Sequence, residues 1–241
     1  MEETMMRRLR RHAARWIAGG VNGRRCVTCH EPANNVSVSA ASVRARFEAT
    51  GGTDPIFRTH DGSNSPLADV STVEARRAAY SLLLSKGVIR VGLPIPAGAE
   101  FELAAVDDPA GYAGDNANGN ELSLFRRPPP STNLGFLSAV MWDGRETLEK
   151  GSAAAIHFDV AHQANGAKVV TDPGRAPITG RWADVGRFKG PILRGLAGRA
   201  PYFHNGSAAT LADVVDFYDR RFALALTPEE KADVVAFRRA P

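Results

Sequence analysis

The pentapeptide Cys26-Val27-Thr28-Cys29-His30 constrains this chain more than any other feature of its 241 residues. Two thiols three positions apart, followed at once by a histidine, form the attachment pattern of a c-type haem. Each thiol can form a thioether with one vinyl group of the porphyrin, and the imidazole of the histidine is then placed to bind the iron. The pattern predicts one covalently attached haem c, held by Cys26, Cys29 and His30.

Two other uses of paired cysteines fit the sequence less well. A thioredoxin-like C-x-x-C follows a strand in a βαβ unit, and the residues from Ile17 to Gly23 show no strand pattern. A structural zinc site needs a second pair of ligands at similar spacing, and the chain contains two cysteines in all. We therefore interpret the motif as a haem attachment site.

Charge and hydropathy exclude two classes of partner. The net charge is +4, and the arginines are scattered apart from the cluster between Arg7 and Arg11, so we expect no nucleic-acid binding. No run of 18 apolar residues occurs, so we expect no membrane span. A mildly basic surface suits an acidic redox partner through electrostatic steering.

A covalent c-type haem implies export, because in bacteria the ligation takes place outside the cytoplasm, and we expect a periplasmic protein. The cluster from Arg7 to Arg11 has the charge of a signal-peptide n-region. The apolar stretch from Ala13 to Val21 is short and is interrupted by Arg15. We expect the true start to lie upstream; the alternative is a chain that is not exported and carries no haem.

The local patterns predict short helices joined by long loops. A helix is expected from a capping box at Ser71 and Glu74 to a C-terminal glycine at Gly87. The segment 31–70 is polar and shows few periodic stretches. The other predicted elements are strands at Val88–Val91 and Phe101–Val106, a helix capped by Thr210 that runs to Phe222, and a helix opened by Thr227-Pro228.

Four stretches, read together with the haem motif, resemble one protein family. They are Met141-Trp142-Asp143-Gly144-Arg145, Phe188-Lys189-Gly190-Pro191-Ile192-Leu193-Arg194-Gly195-Leu196, Ala200-Pro201-Tyr202-Phe203-His204-Asn205-Gly206-Ser207-Ala208-Ala209-Thr210-Leu211 and Ala232-Asp233-Val234-Val235-Ala236-Phe237. Together they resemble, in the same order, segments of the bacterial di-haem cytochrome c peroxidases and their MauG-like relatives.

The resemblance implies a mainly α fold. Residues 1–166 would form a cytochrome c-like haem domain with a long loop insertion, and residues 167–241 a partial second cytochrome c-like helical lobe. It also implies reduction of hydrogen peroxide at the haem. The electrons would come from a small donor protein of the cytochrome c or cupredoxin type.

The resemblance also assigns roles to single residues. Trp142 matches the family's inter-haem tryptophan, and His204 matches a histidine close to the second haem. Tyr218 matches the distal ligand of that haem, which is a tyrosine in MauG-like members. From position alone, His162 is a candidate acid–base group near the W-D-G-R segment, and His60 is a candidate sixth ligand of the iron.

The chain departs from the family in three ways. The second C-x-x-C-H is missing, so we expect His204 and Tyr218 to fill the space of a second porphyrin; the alternative is that this lobe packs poorly. No carboxylate stands at the position of the acid that helps to cleave peroxide, and the nearest are Asp159 and Asp172. At the family's inter-domain calcium site the aligned residues are Arg127 and Arg199, which makes calcium a doubtful cofactor.

Three functions remain open from sequence. The first is an exported peroxidase with Trp142 and His162 in its catalytic site. The second is a monohaem electron-transfer cytochrome without peroxidase activity, whose iron is bound by His30 together with His60 or Met141. The third is an internally shortened family member with little activity, retained as a binding or inert protein, and its haem content would separate it from the other two.

Overall fold

The structure is a computed structural model that describes residues 23–112, 121–131, 139–147, 155–156, 162–164 and 167–240. Side chains are described over the same ranges except at 146–147, 155–156, 162–164 and 167–169. The basic segment from Arg7 to Arg11, together with His157 and Asp159, therefore lies outside the described residues.

Helices carry more of the described chain than strands do, in agreement with the predicted mainly α class. The helices are α1 Cys26–Cys29, α2 Ala40–Thr50, α3 Val73–Ala79, α4 Ser81–Lys86, α5 Ala176–Thr179, α6 Leu211–Phe222 and α7 Pro228–Arg239. None of the described helices is long and apolar enough to cross a membrane. The cytochrome c-like character of the two lobes and their boundary at residue 166 stay predictions.

The strands pair in twos and build small antiparallel sheets. They are β1 Ile89–Pro94, β2 Glu121–Arg126, β3 Ala139–Val140, β4 Glu146–Thr147, β5 Ala155–Ile156, β6 His162–Ala164, β7 Ala167–Val169 and β8 Phe188–Lys189. β1 pairs with β2, β3 with β4, β5 with β8, and β6 with β7. In the β1–β2 register Ile89 lies opposite Arg126, the last residue of β2. The chain continues from Arg126 to residues of the candidate functional site.

The main hydrophobic core lies under the haem motif. Its buried side chains come from α2, α4, the loop between α2 and α3, and Val38 and Tyr80, which lie just before α2 and α4; the largest include Phe47, Ile56, Tyr80 and Leu83. Cys29 packs against this cluster from its partly buried position. Burial of such large apolar side chains stabilises the fold by about 1.5–3 kcal/mol each, so the motif packs against a stabilised core.

Helix caps explain why two predicted helices are confirmed. Thr210 accepts a hydrogen bond from the backbone N–H of Asp213, whose carboxylate accepts one from the N–H of Thr210, and α6 begins there. Thr227 and Glu230 form the same reciprocal pair at the start of α7. Each pair satisfies two backbone donors that the helix leaves unbonded.

Three sequence expectations need correction. The helix expected up to Gly87 is interrupted at Tyr80, so α3 and α4 are separate, and its cap is Thr72. No regular element occurs at Phe101–Val106, so the predicted strand is wrong. Helix α2 was not predicted, although Ser39 caps its start and Gly51 ends it with a positive φ of 59°.

Candidate functional site

The haem motif forms a single helical turn. The backbone N–H of His30 donates to the carbonyl of Cys26 at 3.0 Å, and the hydroxyl of Thr28 accepts from the N–H of Arg25 at 3.0 Å. Side chains three positions apart lie on the same face of a helix, so both thiols point to one side. Both cysteines are free, with Cys26 exposed and Cys29 partly buried. This arrangement fits a porphyrin that binds both thiols.

The imidazole of His30 is held in one tautomer. Its Nδ1 atom lies 3.2 Å from the carbonyl oxygen of Val36, and burial lowers the pKa of the ring, so the imidazole is neutral at pH 7. A neutral ring that donates from Nδ1 carries its lone pair on Nε2. Metal-binding histidines are oriented in the same way, through the nitrogen that does not bind the metal. The residues present therefore fit a haem iron.

A tight turn brings Val36 back to the imidazole. The segment Glu31–Ser37 closes through two backbone bonds, from the N–H of Glu31 to the carbonyl of Ser37 at 2.8 Å and from the N–H of Val36 to the carbonyl of Glu31 at 2.9 Å. Val36 has a φ of 56°, a region that β-branched residues rarely adopt. The turn therefore positions the carbonyl that orients His30.

Two arginines fix the surroundings of the motif. Arg24 donates to both carboxylate oxygens of Asp61 at 2.6 and 2.8 Å. Arg46 donates to the carbonyl of Thr28 at 2.7 Å and to Glu31 at 2.9 Å. The Arg24–Asp61 pair brings the loop that contains His60 to the start of the motif. The His60 side chain is exposed, and its role as a sixth ligand stays a prediction.

A buried ion network joins the W-D-G-R segment to residues 172–174. Arg126 donates to Asp172 through Nε at 2.6 Å and Nη2 at 2.8 Å, and to Asp143 through Nη1 at 2.5 Å. Arg145 adds a second ion pair to Asp143 at 2.6 Å. Burial alone would raise the pKa of Asp143, but the two arginines lower it, so its carboxylate stays ionised. Asp172 is thus engaged in an ion pair inside the fold.

The indole of Trp142 is fixed from two sides. Its Nε1 atom donates to the carbonyl of Arg127 at 2.6 Å. Its ring meets the imidazole of His204 edge to face, with centroids 6.2 Å apart. The neighbouring Met141 has a side chain that is 43% exposed, so it does not pack in the core.

His204 lies buried against an aromatic ring. Its imidazole stacks on Phe188 with centroids 4.0 Å apart. The Nε2 atom is 4.0 Å from the nearer carboxylate oxygen of Asp172, too far for a hydrogen bond, and has no other hydrogen-bond partner in the described part of the chain. Burial lowers the pKa of His204 to about 4. The imidazole is therefore neutral at physiological pH.

Trp142, His204 and Tyr218 line one cleft of about 300 Å³. Its walls are mostly apolar and rich in rings. The described ring-bearing side chains that line it, prolines aside, are Trp142, Phe188, Tyr202, Phe203, His204, Phe217 and Tyr218. His204 and Tyr218 both lie in the walls of this cleft, and their expected filling of the space of a second porphyrin stays a prediction.

Three cationic side chains also line the cleft: Arg127, Lys189 and Arg199. Arg127 is buried and donates to the backbone carbonyls of Arg199 at 2.6 Å, of Val38 at 2.7 Å and of Pro201. Burial and the charge of Arg199 together lower the pKa of Arg127 to about 10. Carbonyl oxygens are calcium ligands, and here a guanidinium already lies against them. Calcium binding stays a prediction that this contact disfavours.

The haem motif and the cleft share the turn Glu31–Ser37. The carbonyl of Val36 also accepts from the backbone N–H of Ser131 at 3.2 Å. The next residue, Ser37, lines the cleft and donates through its hydroxyl to the carbonyl of Pro128 at 2.7 Å. His30 and the cleft are therefore separated by one short segment of chain.

The predicted site residues thus fall into two groups. Cys26, Cys29 and His30 form the motif, and Trp142, His204 and Tyr218 meet in the cleft. His162 pairs through its backbone with Val169 in the β6–β7 hairpin, and its side chain is outside the described residues. The acid–base role of His162 stays a prediction.

Sequence reasoning missed the buried ion network around Arg126 and the cationic side of the cleft. The arginines at 126, 127 and 199 bind partners that lie far along the chain or are backbone carbonyls. Neither kind of contact leaves a spacing pattern in the sequence.

Parts of the chain are similar to known cytochrome-c peroxidases. It is 40% identical over 80 residues to the cytochrome-c peroxidase IdrP1 of Pseudomonas sp. (strain SCT), which covers 29% of this chain and 21% of that protein. It is 37% identical over 91 residues to the cytochrome-c peroxidase IdrP2 of Denitromonas iodatirespirans, covering 35% and 25%. It is also 40% identical over 65 residues to the cytochrome c551 peroxidase of Nitrosomonas europaea, covering 27% and 20%.

The chain therefore spans about a fifth to a quarter of the length of these relatives. No protein-family model and no solved structure matches it. The partial matches support a relationship to the cytochrome-c peroxidases.

Proposed function

We propose that this protein is a c-type haem oxidoreductase that reduces hydrogen peroxide with electrons from a small donor protein. The observation that carries the proposal is the placement of two free thiols on one helical turn directly before the imidazole of His30, whose Nδ1 atom is oriented by the carbonyl of Val36. The partial similarity to cytochrome-c peroxidases supports the choice of peroxide as the substrate.

The haem would be held by this chain at three points. Cys26 and Cys29 would each form a thioether, and Nε2 of His30 would bind the iron. The haem supplies the redox centre at which peroxide is reduced. Because both cysteines of the chain belong to this one motif, we propose one covalent haem per chain.

The chain's other residues would manage protons and electrons. Reduction of one hydrogen peroxide to two waters consumes two protons and two electrons. His162 would move a proton between the two peroxide oxygens as an acid–base group. Trp142, fixed between the carbonyl of Arg127 and the ring of His204, would lie on the path by which a cytochrome c or cupredoxin delivers electrons. We place the reaction in the periplasm.

The first experiment is the absorption spectrum of the oxidised protein, produced with an export signal and a c-type maturation system. A high-spin ferric spectrum and peroxide turnover with a reduced cytochrome donor are the expected results. A low-spin spectrum without turnover would favour the alternative, a monohaem electron-transfer cytochrome with His60 or Met141 as the second ligand. Absence of a Soret band would contradict both functions.

Two single variants and the double variant test the covalent attachment of the haem. Cys26→Ser and Cys29→Ser should each remove one thioether, which shifts the pyridine haemochrome band. The double variant should lose haem on denaturation in acid acetone. Ser85→Ala, in an exposed part of α4, is the control and should retain its haem under the same treatment.

A further inference from the structure

We propose that the cleft beside Trp142 and His204 binds a small apolar carboxylate, a ligand with an aromatic or bulky aliphatic body and one negative charge. Its volume of about 300 Å³ lies at the lower end of the range of ligand pockets, about 300–1,000 Å³. The proposal concerns a ligand separate from the haem at Cys26 and Cys29 and does not depend on peroxidase activity.

The walls select an apolar body. Seven rings line the cleft, and Leu196, Leu211 and Val214 add aliphatic surface. Aromatic walls of this kind favour a flat ligand, because offset-stacked and edge-to-face ring pairs add about 0.5–1.5 kcal/mol beyond the buried area. A body of one or two rings suits the volume.

The charges select an anion. Arg127, Lys189 and Arg199 line the cleft, and no aspartate or glutamate is found among its described lining residues. None of the three forms an ion pair within the part of the chain that the structure describes. Burial lowers the pKa of Lys189 and of Arg199, as expected for cations held in apolar surroundings without a counter-ion. A carboxylate would supply that counter-ion.

Two of these cations have donors to offer. Nζ of Lys189 donates to the carbonyl of Gly190 at 2.9 Å, and an ammonium group has three donors. Arg199 donates through Nε and Nη2 to the carbonyls of Gly195, Ile192 and Arg194, and among the described residues its Nη1 atom has no such bond and could donate to a ligand. Arg127 differs, because its terminal nitrogens already bind backbone carbonyls. It would attract an anion through its positive charge and would not donate a hydrogen bond to it.

Isothermal titration calorimetry on the haem-loaded full chain tests the proposal with three probes. 2-Naphthoate carries both body and charge, 2-naphthalenemethanol carries the same body without charge, and acetate carries the charge alone. We expect 2-naphthoate to bind at least about tenfold more tightly than the alcohol, because charge-assisted hydrogen bonds are roughly twice as strong as neutral ones. Acetate should give no measurable heat of binding.

Two substitutions locate the site without disturbing the buried arginines. Lys189→Gln should weaken 2-naphthoate several-fold and leave the alcohol unchanged. Leu193→Asp should do the same by placing a negative charge at the cleft wall, where the side chain is 51% exposed. The matched controls are Lys86→Gln and Leu67→Asp, both at exposed positions outside the cleft lining, and neither should change either affinity.

Three outcomes would overturn the proposal. The first is equal affinity for 2-naphthoate and 2-naphthalenemethanol, and the second is no binding of 2-naphthoate at 1 mM. The third is stoichiometric binding of protoporphyrin IX that displaces 2-naphthoate, which would make the cleft a tetrapyrrole site. Because the readout is heat of binding, a protein without peroxidase turnover would still give a clear result.

Discussion

Arg126 and Asp172 are 46 positions apart and form a bidentate ion pair with almost no exposure to solvent, since their side chains are 4% and 2% exposed. The same guanidinium also binds Asp143, so one arginine joins β2, the W-D-G-R segment and the loop before α5. Removal of one partner from a buried pair leaves an uncompensated charge.

Asp172→Asn should therefore lower the free energy of unfolding by about 3–5 kcal/mol, measured by urea denaturation. The control is Glu48→Gln, which breaks an exposed pair with Arg77. Exposed ion pairs contribute little, so the control should keep the wild-type midpoint. Equal midpoints for Asp172→Asn and wild type would show that the network does not stabilise the fold.

The position of Trp142 predicts a selective kinetic effect. Trp142→Phe keeps a ring beside His204 and removes the hydrogen bond to the carbonyl of Arg127, which should cost about 0.5–1.5 kcal/mol of stability. If Trp142 carries electrons, the steady-state rate of peroxide reduction should fall at least about tenfold, or about 1.4 kcal/mol in the activation barrier. Haem content should not change.

Trp182→Phe is the matched control for this experiment, because Trp182 is not among the residues that line the cleft. Its turnover should equal that of wild type. A Trp142→Phe protein with unchanged turnover would contradict the electron-transfer role and leave Trp142 a packing residue.

The buried imidazole of His204 predicts a pH dependence of stability. Its pKa is about 4 in the folded chain, against an ordinary value of 6.5. Between these values the unfolded chain binds more protons than the folded chain, so stability falls as the pH decreases from 6.5 towards 4. Between pH 7.5 and 4.5 the contribution amounts to about 2–3 kcal/mol.

His204→Gln should remove this contribution. We expect the difference in unfolding free energy between wild type and variant to shrink or reverse at pH 4.5 relative to pH 7.5, measured by denaturation at both values. Parallel pH profiles for the two proteins would mean that the imidazole does not become protonated on unfolding.

Arg127 predicts the response to calcium. Because its guanidinium already lies against the carbonyls of Val38, Arg199 and Pro201, addition of calcium chloride after EDTA treatment should leave the melting temperature unchanged. An increase of several degrees in the wild-type protein would show that calcium binds elsewhere or displaces the side chain.

Arg127→Met leaves those carbonyls without their donor, so it should destabilise the chain by at least about 2 kcal/mol. Arg194→Gln is the matched control, because the Arg194 side chain is exposed, and its unfolding curve should match that of wild type. A stable Arg127→Met protein would indicate that water takes over the three carbonyls.

The sequence predicted those features whose interacting residues lie within a few positions of each other. The helices that begin after Thr210 and Thr227 follow from capping residues within four positions of each other. The haem motif is likewise one turn of chain. Helix α2 carried the same kind of signal in Ser39 and Gly51, but its polar composition hid the buried positions of Val43 and Phe47.

The cleft could not be predicted from the sequence, because its lining residues are far apart along the chain. Trp142, His204 and Tyr218 were identified by resemblance, yet nothing in their spacing indicates that they enclose an open space. The partners of Arg127 and Arg199 are backbone carbonyls, which every residue possesses, so no residue pattern marks them. Long-range contacts such as Arg126–Asp172 depend on the complete fold.

The heptapeptide Glu31–Ser37 contacts the imidazole of His30 at Val36 and lines the cleft at Ser37. If the proposed haem is attached, a ligand that displaces this turn would alter the donor strength of the imidazole and, with it, the midpoint potential of the iron. Ligand binding in the cleft and oxidation of the iron would then be linked equilibria, and linked equilibria change each other by the same factor. In a haem-loaded chain, oxidation of the iron would then change the affinity of the cleft for the proposed ligand by the same factor by which that ligand changes the redox equilibrium.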